Sequence, residues 1–201
     1  MPDKREIVKQ TSLAFDFISK LYLEVSYLIK EIEGLLYQEE EKFIIGRPAG
    51  YGITARKTTG LDANNLSLWL MRKFAVFFIP EEQTKKEKGQ TITAIDEKLK
   101  VLYLRFILDG DEVKAPTIYS GILHKIDKKP QAKGIKKFEH IMGHLEYNDL
   151  KIFKNIEKLD YEDAYIKLSG QLIENHLFEI NDSEEIEKRI INPSLALYRG
   201  N

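Results

Sequence analysis

An α+β fold is predicted for this chain of 201 residues, with a mainly antiparallel sheet of five or six strands, a long N-terminal helix and two or three C-terminal helices. Three features of the sequence support this class. An apolar seven-residue repeat fills residues 1–41, strand-like segments with short connections follow, and helical periodicity then returns. Helices that are segregated from a run of strands are typical of α+β domains. Residues 42–201 would form the α+β part, and the whole chain one structural domain.

The N-terminal segment is predicted to be one amphipathic helix over residues 4–41. Its apolar side chains recur in three rows: Ile18, Val25 and Ile32; Leu21, Leu28 and Leu35; and Tyr22, Ile29 and Leu36. Such rows share one helical face because 3.6 residues complete a turn. The helix would be roughly 55 Å long, whereas a compact chain of this size has a radius of gyration of about 16–17 Å. We therefore predict self-association through this helix; packing along its own domain is the alternative. Gly34 favours a break or a kink within it.

Residues 42–127 are predicted to be β-rich. The candidate strands are residues 43–45, 53–58, 66–79, 91–95, 99–108 and 116–126, and a polar loop is expected over residues 81–90. Segment 99–108 is apolar at nearly every position, which is typical of a central strand that is covered on both faces. The short connections favour antiparallel hairpins over crossover units.

Residues 135–192 are predicted to be helical. The clearest stripe consists of Ile135, Phe138, Ile141, Met142 and Leu145. A second helix is predicted from Asp160, although Gly170 leaves a strand as the alternative there. Asp182 begins a capping-box pattern for a final short helix, which Pro193 is expected to end.

Composition limits the classes of function. With 31 Lys and Arg against 32 Asp and Glu, the net charge of -1 gives no global attraction to nucleic acid or membranes. The absence of cysteine excludes disulfides, thiolate catalysis and cysteine-ligated metals, and it fits a reducing compartment. The densest apolar run, residues 74–79, is far shorter than the ~20 residues of a membrane helix, and no secretory signal is visible. We expect a soluble cytoplasmic protein without a membrane partner.

A lysine cluster is the most concrete surface feature. It consists of Lys125, Lys128, Lys129, Lys133, Lys136 and Lys137. Such a cluster can bind the phosphates of nucleic acid or another polyanion, whereas the lack of arginine in the segment favours a solvated loop. His140 and His144 extend the positive face and are the candidate metal ligands, but no third ligand accompanies them. We therefore predict no native metal, and no motif predicts a cofactor.

Arg105 is the only charged residue within 101–108, in the predicted central strand. A buried guanidinium must be paired. Arg105 is therefore expected to form a structural salt bridge, to anchor a ligand carboxylate or phosphate in a pocket, or to be exposed on an edge strand. The glycine-rich segment 46–52 is either a hairpin turn or an anion site with Arg47, Arg56 and Lys57 nearby. No motif identifies a catalytic residue.

A long helix that leads into an antiparallel sheet resembles the layout of the GAF and PAS families of sensory domains, and this resemblance implies a ligand-sensing module. Our leading hypothesis is a non-enzymatic interaction or small-ligand-sensing module that forms a homodimer through its N-terminal helix. One alternative is a nucleic-acid- or polyanion-binding accessory protein that uses residues 125–144. Another is an enzyme of unspecified reaction with a pocket around Arg105.

Overall fold

The computed structural model describes residues 3–46, 72–87, 90–93, 99–110, 113–135, 138–147 and 156–200. They form the expected α+β fold. The helices are α1 (Lys4–Gln38), α2 (Phe138–Tyr147) and a C-terminal helix α3 over residues 183–200. The strands are β1 (Phe43–Gly46), β2 (Lys73–Pro80), β3 (Thr84–Glu87), β4 (Gln90–Thr93), β5 (Val101–Ile107), β6 (Thr117–Lys128), β7 (Leu159–Glu162) and β8 (Ile166–His176).

The main sheet has six antiparallel strands in the order β1-β2-β5-β6-β8-β7. Strands β5 and β6 are therefore its central pair. All seven residues of β5 are buried, which confirms the prediction of a strand covered on both faces. Strands β3 and β4 form a separate two-stranded hairpin. Strand β3 lies where a polar loop was expected, and β4 overlaps the strand predicted over residues 91–95.

Two hydrophobic cores lie on opposite faces of this sheet. On one face, alternate residues of β5 such as Leu102 and Phe106 pack with the C-terminal half of α1 and with α3. On the other face, Tyr103 and Ile107 pack with α2. The alternation follows from the two-residue period of a strand. The sheet is therefore the middle of three layers.

Helix α1 runs without interruption through Gly34, so a break is not formed there. The Asp3 side chain caps its first turn by accepting a hydrogen bond from Arg5 N at 3.2 Å. Beyond its C-terminal end, Arg199 of α3 contacts the carboxylates of Glu39 and Glu41, each at 2.8 Å. This ion-pair group fastens the C-terminal end of α1 to the domain.

The helix predicted from Asp160 is wrong, and the strand alternative is correct. The segment forms β7, a turn and β8. In β8, Ile166, Leu168 and Leu172 are buried while their neighbours are exposed or half-buried, which is the alternation of a strand. A Cβ atom at Gly170 would lie 2.4 Å from the carbonyl oxygen of Ile122, so this close approach of β8 to β6 requires glycine.

Pro193 does not end the last helix, contrary to expectation. Helix α3 consists of an α-helical turn (Ser183–Ile186), a π-helical turn (Glu187–Ile191) and a further α-helical segment (Asn192–Gly200). Proline has no N–H to donate to the carbonyl of Arg189 four residues earlier. The side chain of Asn175 on β8 donates to that carbonyl instead, at 3.2 Å. A side chain of the sheet thus takes over one hydrogen bond of the helix.

We expect Asn175→Ala to lower the free energy of unfolding by about 1–3 kcal/mol, because it leaves the Arg189 carbonyl without this donor. In a Pro193→Ala background the cost of the same change should be smaller, since the alanine introduced at that position supplies a backbone N–H. Urea unfolding of the four proteins in the double-mutant cycle measures the difference. Equal costs in both backgrounds would contradict this account of Pro193.

Gly121 and Gly34 provide a matched pair of alanine substitutions. Gly121 has a φ of +156° in β6, and a Cβ atom there would lie 2.1 Å from the backbone oxygen of Gln171. Gly121→Ala should therefore destabilise the protein by roughly 2–4 kcal/mol. Gly34 has open space around it, so Gly34→Ala should stabilise α1 by up to about 1 kcal/mol. Thermal unfolding of both variants checks this: the Tm should fall in Gly121→Ala and rise in Gly34→Ala.

Candidate functional site

The N-terminal half of α1 extends beyond the part of the domain that the structure describes. Every residue from 3 to 17 is exposed. We call residues 4–17 the helix overhang; at 1.5 Å per residue it is roughly 21 Å long. Five of its large apolar side chains are between 46% and 66% exposed: Ile7, Val8, Leu13, Phe15 and Phe17. Val8 and Phe15 lie on one side of the helix and Leu13 and Phe17 on another, so the overhang exposes large apolar side chains around much of its circumference.

The overhang continues the apolar rows of the packed half of α1. Ile7 lies fourteen residues before Leu21, and Phe15 lies seven before Tyr22, so they fall on the same helical rows. The packed half buries Val25, Ile32 and Leu36 against the sheet and α3. The apolar pattern therefore runs along the whole helix, but the domain covers only its C-terminal half.

A groove runs beside α1, between this helix and the segment that connects β8 to α3. It has a volume of about 600 Å³. We call it the α1–α3 groove. Its helix wall includes Phe17, Lys20, Glu24, Tyr27 and Glu31, and its opposite wall includes Leu177, Phe178, Ile180, Asp182 and Ile186. Phe178 is 58% exposed, so the groove presents an aromatic ring to solvent beside the overhang.

Carboxylates give this groove a negative character. Glu24, Glu31 and Asp182 line it, with Lys20 as the cation among the lining residues. Glu31 accepts a hydrogen bond from the Ser183 hydroxyl, which joins the two walls. The groove is thus apolar at its base and acidic at its rims.

Arg105 lies in the third strand of the sheet and is 2% exposed. The alternative that placed it on an exposed edge strand is wrong, because β2 and β6 pair on either side of β5. Its register partners are Ala75 and Tyr119. Its role, as a structural salt bridge or as an anchor for a ligand, stays a prediction.

Five of the predicted cations lie outside the described residues, namely Arg47, Arg56, Lys57, Lys136 and Lys137. Four others of the lysine cluster are described. Lys128 Nζ donates to the carbonyl of Ile135 at 3.0 Å, and Lys129 pairs with Glu162 at 2.6 Å. Lys125 and Lys133 are exposed. Two of these four side chains are therefore engaged within the domain, which gives a polyanion surface less support.

His144 is held by a carboxylate that the sequence analysis did not single out. Its Nε2 atom lies 2.6 Å from Asp163 Oδ2, which also accepts a hydrogen bond from the Tyr161 hydroxyl at 2.8 Å. The other oxygen of Asp163 accepts from the backbone N–H groups of Tyr165 and Ile166 at 2.7 and 2.8 Å. This group connects α2 to the turn between β7 and β8.

Asp163 remains ionised because of these contacts. Burial alone would raise its pKa, but hydrogen bonds from His144, Ile166, Tyr165 and Tyr161 outweigh burial and hold the pKa of the carboxyl well below its usual value. Burial, together with the same carboxylate, raises the pKa of Tyr161. Among the described residues, no group of three or more His, Cys, Asp or Glu is placed to hold a metal ion.

Asp163 and Phe178 were not predicted as candidate site residues from the sequence. Asp163 lies in a turn between two alternating segments, where aspartate commonly accepts backbone hydrogen bonds; this signal was hidden because a helix was predicted there. Phe178 had no periodic partner in the sequence. Its relevance follows only from the position of β8, which brings it beside α1.

Comparisons of the chain with protein-family models, with curated proteins and with solved structures find no match. Within the described helices, none is both long enough and apolar enough to span a membrane. The candidate site therefore rests on the geometry of the overhang and the groove.

Asp163 should make the stability of the protein sensitive to acid. A carboxyl whose pKa is lowered by folding stabilises the folded state at neutral pH, and this stabilisation is lost as the pH falls below about 5. We expect Asp163→Asn to lower the free energy of unfolding at neutral pH. The further decrease of this free energy on acidification should be smaller in the variant than in the wild type. Tyr161→Phe removes one of the hydrogen bonds to Asp163 and should give an intermediate result. Urea unfolding at neutral pH and at about pH 4 checks this. An unchanged pH dependence in Asp163→Asn would contradict it.

Proposed function

We propose that this protein is a non-enzymatic interaction module that self-associates through α1. The observation that carries the proposal is the exposure of the helix overhang, whose five large apolar side chains are 46–66% exposed. Water contact with such a surface is unfavourable by about 25 cal/mol per Å². A second protein surface that covers it would recover this free energy.

The seven-residue repeat favours another helix as the covering surface. Regular rows at this spacing allow side chains of one helix to pack between those of a second. A second copy of the chain always carries a matching set of rows, and a symmetric pair buries the same surface twice. These arguments favour a homodimer over an unrelated partner.

The contacts of the described residues also rank the alternatives. A polyanion-binding surface has less support because Lys128 and Lys129 are engaged with Ile135 and Glu162. For the alternative of an enzyme with a pocket around Arg105, none of the described residues suggests a reaction. The hydrogen-bonded group around Asp163 contains an acid and a histidine, but its contacts connect α2 to a turn.

Two matched double variants test self-association. Leu13→Glu/Phe17→Glu places charges on the side of the overhang that lies beside the groove, and we expect it to weaken the dimer by at least about tenfold, because buried unpaired charges are costly. Ser12→Glu/Ser19→Glu adds the same charge on the side that carries Val8 and Phe15, away from the groove, and should leave unchanged a dimer that forms through Leu13 and Phe17. Sedimentation velocity over a range of concentrations measures both.

All four replaced side chains are exposed, so we expect both double variants to fold. Circular dichroism of each variant checks this. A wild-type protein that stays monomeric at every concentration would overturn the proposed function. Equal weakening by the two double variants would instead attribute the effect to charge alone and would also count against it.

A further inference from the structure

We propose that the occupant of the α1–α3 groove is the helix overhang of a second copy of the chain, so that the two α1 helices run antiparallel. This inference rests on the proposed self-association and specifies its geometry. In such a dimer each overhang leaves its own domain and covers the groove of the other. One contact, which a two-fold axis repeats, then covers the groove and the side of the overhang that carries Leu13 and Phe17.

The spacing of the groove residues supports this arrangement. Phe17, Lys20, Glu24 and Tyr27 lie three or four residues apart and form one helical face. The same spacing continues into the overhang through Leu13. A two-fold axis between Phe17 and Lys20 places Leu13 of one copy opposite Glu24 of the other. It also places position 10 opposite position 27, and thus sets the overhang beside the groove.

The distribution of charge along α1 favours the antiparallel direction. Residues 4–20 contain four cations and two anions, a net charge of +2. Residues 21–38, the rest of α1, contain one cation and three anions, a net charge of -2. An antiparallel pair sets the positive half of each helix against the negative half of the other, whereas a parallel pair aligns like charges. The rim of the groove, which includes Glu24 and Asp182, is also acidic and therefore complements the positive half of a second helix.

The exposed aromatic area is large enough to matter for a dimer. Phe17, Tyr27 and Phe178 are 62%, 54% and 58% exposed. An aromatic side chain has 150–250 Å² to bury, so each leaves roughly 100 Å² in water. Three such rings from each of two copies contribute about 600 Å² of the ~1,600 Å² that a specific interface buries. Leu13 of each copy, 59% exposed and on the same helical face as Phe17, adds to this area.

Cysteine cross-linking tests the direction, and the chain has no native cysteine to interfere. We would make Gln10→Cys and Tyr27→Cys, oxidise each alone, and oxidise a mixture after subunit exchange. We expect a disulfide-linked dimer only in the mixture. In the antiparallel pair the two copies of position 10 are about 25 Å apart along the axis, which is too far for a disulfide. A mixture of Ser12→Cys with Tyr27→Cys controls for random collision.

A second pair of variants tests the groove itself. Phe178→Glu should weaken the dimer by at least about tenfold, because Phe178 lies on the wall that the second copy covers. Tyr37→Glu changes an aromatic side chain of similar exposure, 57%, on α1 but outside the proposed contact. It should leave dimerisation unchanged.

The outcomes separate this inference from the proposed function. A monomer at every concentration would overturn both. A dimer in which Gln10→Cys and Tyr27→Cys each cross-link alone would be parallel. This result would support self-association and overturn the proposed groove contact. A dimer that gives no cross-link in any sample, or that tolerates Phe178→Glu, would place the interface elsewhere and would also overturn the antiparallel arrangement.

Discussion

Both faces of the central strand pair have to be covered. Strand β5 is buried at all seven positions, and it pairs with β6 along its whole length. A strand that is apolar on both faces is stable only with a layer on each side. Helices α1 and α3 supply one layer and α2 supplies the other. The strand order, the position of the C-terminal helix and the burial of Arg105 all follow from this sandwich.

Covering the sheet does not require the full length of α1. The buried residues of this helix begin at Val25 and end at Leu36, whereas the helix itself has 35 residues and is roughly 52 Å long. The ion pairs of Arg199 fix its C-terminal end, so the excess length extends entirely on the N-terminal side. A helix needed only for the core could begin near residue 18. The apolar residues before that point are not buried by any residue that the structure describes.

The sequence predicted the fold well wherever one periodicity dominated, as in α1, β5 and the stripe of α2. It failed where two signals competed. From Asp160 onward, Tyr161, Leu168 and Leu172 fit both helical and strand spacing, and only pairing with β6 decides between them. Pro193 predicted a helix end because the compensating donor, Asn175, lies on a distant strand. The overhang was visible in the sequence, whereas the groove depends on tertiary contacts of Phe178 and could not be.

In the proposed dimer, helix formation and association are coupled in α1. A segment of about 14 residues without tertiary contacts is only marginally helical in water, even when an anchored helix supplies its nucleus. Packing of the overhang on a second copy would add apolar contacts that the described residues of one chain do not provide. Any free energy gained in that contact stabilises the helical state of residues 4–17 by mass action. The length of α1 and the open groove beside it are then two aspects of the same feature, because the described residues of one chain cover neither the overhang nor the groove.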